Sequence, residues 1–450
     1  IDPWQVAKAF AADENVEYAE PHFVYELAFI PNDSLYKKQY HLSLINAEKA
    51  WDITQGSADV VIAIVDVGVD WYHPDLVNNI WQNLGEDADG DGHTIEFNSS
   101  KWVLDPGDLN GIDDDDFDSN PKTFIDDLTG WDVANGDYDP VNTNNHGTQV
   151  AGMAAGTTNN RIGVAGIGFK CKIMPVKVSS DGQEFVDFGF EGIKYAVDAG
   201  ADIINMSWGG GGTSSFGLDV INYAHEHNVV LVAAAGNFDE ETQFFPAAYP
   251  HVLSIAATGD YYDIKASFSN YGYWVDLSAP GLWVLSTDKY QTYGQANGTS
   301  FASPIVAGVA ALVKSYHPNW SADQISEQVR VSSDKIDNNN SGMHREKLGF
   351  GRVNAYQALT KTSPAIRIAE VSVSDRLGNG NTIIEQGESI ELIVSVTNHL
   401  EKAENVMLSI ETKDVNIKFL NSTTNIGTLG PGQTFTNTAN PFTFTVADTT

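Results

Sequence analysis

Between Val60 and about Thr360, apolar runs of strand length alternate with segments of helical spacing. The runs are Val60–Val65, Lys172–Val178, Asp202–Ser207, Val229–Ala235, Val252–Ala257 and Trp274–Ser278. They are nearly continuous in Val, Ile, Leu and Ala, as strands buried on both faces must be. Between them, Phe188–Ala199 and Phe216–His227 carry apolar residues at helical spacing. Few architectures accept this alternation. It predicts α/β, a doubly wound, mainly parallel sheet with helices on both faces. Ligand-handling residues then belong at the carboxyl ends of the strands, where Asp66 ends one run and Asn237 lies just past another.

The segment from Asn83 to Pro140 breaks the pattern and reads as an Asp- and Gly-rich insertion loop. Its charge matters. The whole chain has 60 acidic and 25 basic residues, a net charge of −35. From Glu86 to Asp139, 17 Asp and Glu stand against two Lys, a net of −15 (17 minus 2). This excess excludes nucleic acid, which needs clustered Lys and Arg, and an anionic membrane surface. Acid this dense repels itself unless cations offset it, which points to calcium. No apolar run reaches the roughly 18–20 residues that span a bilayer, so membrane insertion is not expected. The single cysteine, Cys171, precludes an intrachain disulfide and reads as a buried, inert thiol.

The flanks differ from this middle region. Residues 1–31 open with a helix-like stretch, Trp4–Ala12, followed by Val16–Leu27, which reads as a strand. Lacking an initiator Met, Ile1 reads as an internal residue of a longer precursor. From about Ala365 the alternating runs Ile383–Thr397, Asn405–Glu411 and Thr434–Val446, separated by Gly/Asn turns, predict an antiparallel β-sandwich over 365–450. Its last strand runs almost to Thr450, so this domain is expected to be truncated.

Three short segments together carry chemistry: Ile62-Ala-Ile-Val-Asp66-Val-Gly68, Asn145-His146-Gly147-Thr148, and Asn297-Gly298-Thr299-Ser300-Phe-Ala-Ser-Pro304, which runs into the helix Ile305–Tyr316. A serine hydroxyl needs a base to become a nucleophile. Histidine suits that task near neutral pH, and a buried carboxylate fixes its tautomer. Asp66, His146 and Ser300 supply the three roles in one of the known chain orders. Ser300 stands at a helix start, where free N–H groups favour a developing oxyanion. In Val232-Ala-Ala-Ala-Gly236-Asn237, the Asn237 amide supplies a further oxyanion donor. Each segment alone is a common turn or strand end; the four in this order on an α/β scaffold are not.

With these motifs in place, Asp33 to Thr360 resembles the subtilase (subtilisin-like serine peptidase) family. Ile64-Val-Asp66-Val-Gly-Val-Asp70 with His73-Pro-Asp75-Leu matches its aspartate motif, His146-Gly-Thr its histidine motif, and Gly298-Thr-Ser300-Phe-Ala-Ser-Pro its nucleophile motif. The resemblance implies a secreted serine endopeptidase made as a precursor. It implies that substrate pairs as a strand beside Ser207, Trp208, Gly209 and Gly210, with Ala234 and Gly236 on the opposite wall of the pocket. Gln149, Val67 and Phe301 depart from common family residues without removing a catalytic group. Trp208 and Phe244 are expected to reshape the primary pocket. Residues 4–27 resemble the end of an inhibitory propeptide, so the chain's own propeptide is an expected inhibitor. Residues 365–450 resemble, more weakly, sandwich domains attached to secreted bacterial peptidases. The expected division is 1–31 propeptide remnant, 32–362 peptidase domain with the 83–140 insertion, and 365–450 sandwich.

Structural Ca2+ is the expected cofactor. Asp87-Ala-Asp89-Gly-Asp91-Gly92 matches the start of an EF-hand loop, although Glu96 comes two positions too early for the distal ligand. A second candidate comprises Asp113, Asp114, Asp116, Asp118 and Asp126. The family resemblance implies a third near Asp33, Asp75 and Asn160. Protein or peptide substrates are the expected partners, and the oligomeric state is left open. The competing readings are a binding module on an intact peptidase fold and a narrow processing protease with one target.

Overall fold

The apolar runs assemble into one sheet. In chain order its strands are β1 (Val61–Asp66), β2 (Trp131–Asp132), β3 (Lys172–Lys177), β4 (Ile203–Met206), β5 (Val230–Ala234), β6 (Val252–Thr258) and β7 (Leu277–Pro280). They lie side by side as β2-β3-β1-β4-β5-β6-β7, and every pairing is parallel. The computed structural model describes residues 2–21, 29–115, 123–183, 185–259, 261–375, 379–381 and 383–447. Residues Ile1–Ile30 and Pro31–Thr450 form separate compact units.

Helices cover both faces of the sheet, which is why β1 is buried at all six positions. They are α1 (His146–Ala155), α2 (Gly189–Asp198), α3 (Ser215–Glu226), α4 (Thr299–Tyr316) and α5 (Ala322–Val331). Val61, Ala63 and Val65 share one core with Ile193 and Ala196 of α2 and Ile221 and Ala224 of α3. Strand side chains alternate between faces, so Ile62 and Ile64 point the other way, where α1 and α4 pack on each other and on β1. Two neighbours set the direction of winding. From β1 the sheet extends through β3 to β2 on one side and through β4 to β7 on the other. The crevice at the carboxyl end of β1 is therefore the switch point of the sheet.

The sequence-based boundaries hold to within a few residues for the helices and central strands. The insertion is the exception. Trp131–Asp132, read as loop, is the sheet's edge strand, pairing with Val176 and Lys177 of β3. A two-residue strand carries no period to read. The insertion also holds a small hairpin, Ile95–Phe97 with Trp102–Leu104. Cys171 is buried, and burial pushes its thiol up to about 11, well away from reactivity. In the N-terminal unit, Pro3–Phe10 is helical with Asp2 accepting from the Trp4 N–H at 2.9 Å. The expected strand over Val16–Leu27 is not seen at Val16–Pro21, which is irregular; residues 22–28 lie outside the described ones.

After Ala365 the chain is antiparallel, as expected. Ile366–Ser374, Ser389–Asn398, Phe442–Val446 and Ile417–Asn421 form one sheet in that order, with Thr434–Thr436 beside Ser389–Asn398. Ala403–Ser409 and Thr423–Leu429 form a second. Val394, Val396, Leu429 and Phe442 are its small core. Arg367 fastens this region to the large sheet. Its Nε donates to Glu327 of α5 at 2.5 Å and its Nη2 to Asp276 at 2.7 Å. Glu327 is almost fully buried and is also held by Arg330. Replacing Arg367 by Ala in an inactive background should lower stability by about 1–3 kcal/mol, the value of hydrogen bonds to a buried charged group. Urea unfolding checks this, and an unchanged midpoint would mean that the seam does not hold the domains.

Candidate active site

One cleft of about 690 Å³ opens at the carboxyl end of β1. It is lined by Asp66, His146, Ser300 and Asn237, and by Ser207, Trp208, Gly209, Gly210, Ala234 and Gly236. All ten residues singled out in the sequence for catalysis and substrate contact therefore meet in one place. Asp66 is the last residue of β1 and is 1% exposed. Its Oδ1 accepts the Val67 N–H and faces His146 Nδ1, both at 2.8 Å. His146 opens α1. Gly147, next in that helix, has no side chain for a simple reason: a Cβ there would collide with the Gly68 carbonyl oxygen and crowd Asp66. The glycine lets α1 approach β1 closely enough for the imidazole to reach the carboxylate.

Burial pulls the His146 pKa down. The charge and hydrogen bond of Asp66 more than reverse this, so it stands above the usual histidine value. Nδ1 facing the carboxylate leaves Nε2 for the cleft. Ser300 is the second residue of α4. Its hydroxyl donates to the Ser207 carbonyl at 3.1 Å rather than to the imidazole, a looseness that substrate-free sites often show.

The nucleophile motif also explains its own proline. Pro304 has no N–H, so the carbonyl four residues earlier, that of Ser300, loses its helical partner. The Ser207 hydroxyl takes that place, donating at 2.7 Å. The substrate-side segment and the nucleophile turn are thus tied in both directions. Gly298 precedes α4 with φ +153°, a conformation that side chains rarely adopt.

Asn237 is held by one end. Its Oδ1 accepts the Thr299 N–H at 2.8 Å and faces the Thr299 hydroxyl at 3.0 Å, and that hydroxyl in turn accepts the Gly236 N–H at 3.1 Å. With the carbonyl fixed, the amide nitrogen is the end left to donate. Sequence reading had not given Thr299 this part, though the residue lies within the Gly-Thr-Ser motif.

The pocket walls are sorted by two aromatic residues. Trp208 is anchored at its ring nitrogen, Nε1 donating to the Val65 carbonyl at 2.9 Å. Phe244 instead lies against both walls. A Cβ on Gly209 would sit 2.5 Å from Phe244 Cε1, and one on Gly236 3.1 Å from its Cγ. Of the two residues expected to reshape the pocket, Phe244 is the one placed between its walls.

The acidic residues regroup. Among the described residues, Asp87 and Asp89 come together with Asp108, whereas Asp91 joins His93 and Asp105. A third group is Glu86, Asp115 and Asp127. Asp113, Asp114 and Asp126 belong to none of these groups; Asp126 accepts from the Asn110 and Gly111 N–H groups at 3.0 Å. Asp116 and Asp118 lie outside the described residues. Asp105 and Asp108 were missed because they come from a distant turn. The clue was Gly107 between them, whose missing side chain makes room for Asp89. The groups suit a hard cation: Glu86 Oε2 and Asp108 Oδ2 are buried without a hydrogen-bond partner. Burial pushes Glu86 up to about 7 and Asp127 to about 8. Asp33, Asp75 and Asn160 also meet. Asn160 Nδ2 donates to Asp75 Oδ1 at 2.6 Å, and the Asn159 N–H donates to Asp33 at 2.8 Å. Burial, with Asp33 nearby, pushes Asp75 up to about 7.

Comparison with known proteins agrees with this geometry. The chain is 37% identical over 357 residues to a thermophilic serine proteinase of Bacillus sp. (strain AK1), covering 79% of this chain and 75% of that protein. It is 36% identical over 333 residues to thermitase of Thermoactinomyces vulgaris, covering 74% of this chain and 99% of that one. It is 36% identical over 351 residues to the halolysin-like extracellular serine protease Nep of Natrialba magadii, of which it spans 56%. A solved protease structure from Pseudoalteromonas arctica PAMC 21717 superposes with a TM-score of 0.55 at 30% identity, covering 73% of this chain and 98% of that one. The subtilase family model matches residues 57–351, and the chain accordingly belongs to the subtilase family, as a subtilisin-like serine endopeptidase.

Proposed function

We propose that Asp66, His146 and Ser300 act as the catalytic triad and Asn237 as an oxyanion donor. The observation that carries this is the 2.8 Å contact of His146 Nδ1 with buried Asp66, in the cleft that Ser300 and Asn237 also line. Ser300 Oγ attacks the scissile carbonyl carbon while His146 Nε2 takes its proton. The carbonyl oxygen becomes negative and is held by Asn237 Nδ2 and the Ser300 N–H, at the positive end of α4. The intermediate collapses as the imidazolium protonates the leaving amine, and water then releases the acyl group by the same steps. Asp66 keeps the imidazole oriented and stabilises its charged form. The substrate main chain lies as an added strand along Ser207–Gly210.

Phe244 sets specificity at this site. A ring touching both walls leaves space for a small P1 side chain, so substrates cut after alanine-sized residues are favoured. A degradative enzyme is expected rather than a single-target processing protease, since the substrate is held chiefly through its main chain along Ser207–Gly210.

The remaining elements follow the same reading. Residues 1–31 are the remnant of an inhibitory propeptide, 32–362 the peptidase domain and 365–450 an appended sandwich. The protein is secreted; two relatives bear the words extracellular protease or extracellular serine protease in their names. Ca2+ would be held by Glu86, Asp115 and Asp127, by Asp87, Asp89 and Asp108, and near Asp33, Asp75 and Asn160. Its chemistry there is charge neutralisation that stabilises the folded loops.

Separate measurements test the parts of this reading. First, Asn237→Ala should lower kcat by about 10²–10³ with little change in KM, a range established on a subtilisin's own oxyanion asparagine; an unchanged kcat would remove Asn237 from the mechanism. The base must be neutral to act, so kcat/KM should fall as pH drops through a value above about 6.5, because Asp66 raises the His146 pKa. Second, Phe244→Gly should move the preferred P1 residue from small to large and aromatic on a peptide library, whereas an unchanged profile would place specificity elsewhere. Third, chelation of calcium from the Ser300→Ala protein should lower its thermal midpoint. A cation at 100 times its dissociation constant contributes about 2.7 kcal/mol per site; an unmoved midpoint would mean that the acidic loops carry no cation.

A further inference from the structure

A cluster of histidines lies at the junction of the large sheet and the sandwich, and the peptide-hydrolysis machinery uses none of it. His225 lies in the last turn of α3, His251 immediately precedes β6, and Asp323 lies in the first turn of α5. His225 Nε2 is 3.1 Å from Asp323 Oδ1. The His225 and His251 rings stack at 3.7 Å between centroids, 20° from parallel. His399, in the turn after the sandwich strand Ser389–Asn398, brings Nδ1 to 3.7 Å from the other Asp323 oxygen. One ligand atom from each of His225, His251 and Asp323 falls within 4.8 Å of the others.

We infer that His225, His251 and Asp323, with His399 as the fourth group, form a binding site for a divalent transition metal of the zinc class that clasps the peptidase fold to the sandwich. Three observations converge on it. Two imidazoles stack beside a carboxylate on a part-exposed surface, with one ring nitrogen of each within 4.8 Å of the other and of a carboxylate oxygen. His251 holds a left-handed backbone at φ +66°, which is uncommon for a residue other than glycine and sets its ring against His225. A cavity of about 40 Å³ beside the cluster is lined by His251, Asp323, Glu327, Arg367 and His399, so His399 of the sandwich opens on the same space as two of the three ligands. Imidazole nitrogens with one carboxylate oxygen select zinc-class ions over calcium, which takes oxygen ligands throughout.

The electrostatic surroundings suit a dication. Beside Asp323, Glu327 is already paired with Arg330 and Arg367, so Asp323 is the carboxylate within reach of His225 and His399. A bound dication would join α3, α5, the turn before β6 and the sandwich in one polyhedron. Such a site would act on cohesion of the two domains and not on peptide hydrolysis.

Zn2+ titration of the full chain tests the proposal. It is done calorimetrically on the Ser300→Ala protein with Ca2+ in excess, so that oxygen-rich loops are filled and autolysis is prevented. The expected result is a Zn2+ site whose affinity falls at least tenfold in His225→Ala and in His251→Asn, since losing even an outer-shell partner costs about 10–100-fold. Asn tolerates the left-handed backbone at 251, so this variant carries the test if His225→Ala does not fold. Zn2+ should also raise the thermal midpoint of the parent, and less so in His399→Ala. His93→Ala is the control for the other His-containing group, near Asp91 and Asp105. Zn2+ affinity unchanged in both His225→Ala and His251→Asn, or lost only in His93→Ala, would overturn the proposal.

Discussion

The site depends on how closely the first turn of α1 approaches the end of β1. Asp66 is fixed by the sheet and His146 by the helix, and only a glycine at position 147 lets the two elements come near enough for a 2.8 Å contact. That contact orients the imidazole and raises its affinity for a proton. A second tie, between Ser207 and Ser300, joins the substrate-side segment to the nucleophile turn. It exists because Pro304 frees a carbonyl. Backbone sterics at a glycine and a proline thus position side chains on three different elements. The parallel sheet contributes by bringing the ends of β1, β4 and β5 to one edge.

The acidic insertion poses the opposite problem. Buried carboxylates with one oxygen left without a hydrogen-bond partner, as at Glu86 Oε2 and Asp108 Oδ2, oppose folding unless something takes up their charge. With cations in that role, the chain would depend on its medium for part of its stability. Its negative charge is concentrated where those groups lie, rather than spread as a solvating coat.

The sheet and the proposed catalytic positions were legible in the sequence for different reasons. Strands buried on both faces leave continuous apolar runs, and Asp66, His146, Ser300 and Asn237 sit in short motifs whose neighbours are constrained by backbone geometry. The edge strand at Trp131 was not legible, because two residues carry no period. Nor was the partnership of Asp89 with Asp108, which depends on a turn folding back across the insertion. Tertiary assembly alone brings His225, His251, Asp323 and His399 together; they are spread over 175 positions, from 225 to 399, without a shared motif. Phe244 was recognisable as a pocket residue, whereas its place between the walls needed coordinates.

Covalent labelling measures the central claim most directly. A fluorophosphonate reacts with a serine only when a neighbouring base activates it and an oxyanion site receives the phosphoryl oxygen. An activated Ser300 predicts a single adduct, mapped by mass to that residue, after removal of residues 1–31 and addition of calcium. It predicts none on Ser300→Ala and a much slower reaction on Asp66→Asn. An unlabelled parent under those conditions, or an adduct that persists in Ser300→Ala, would contradict it.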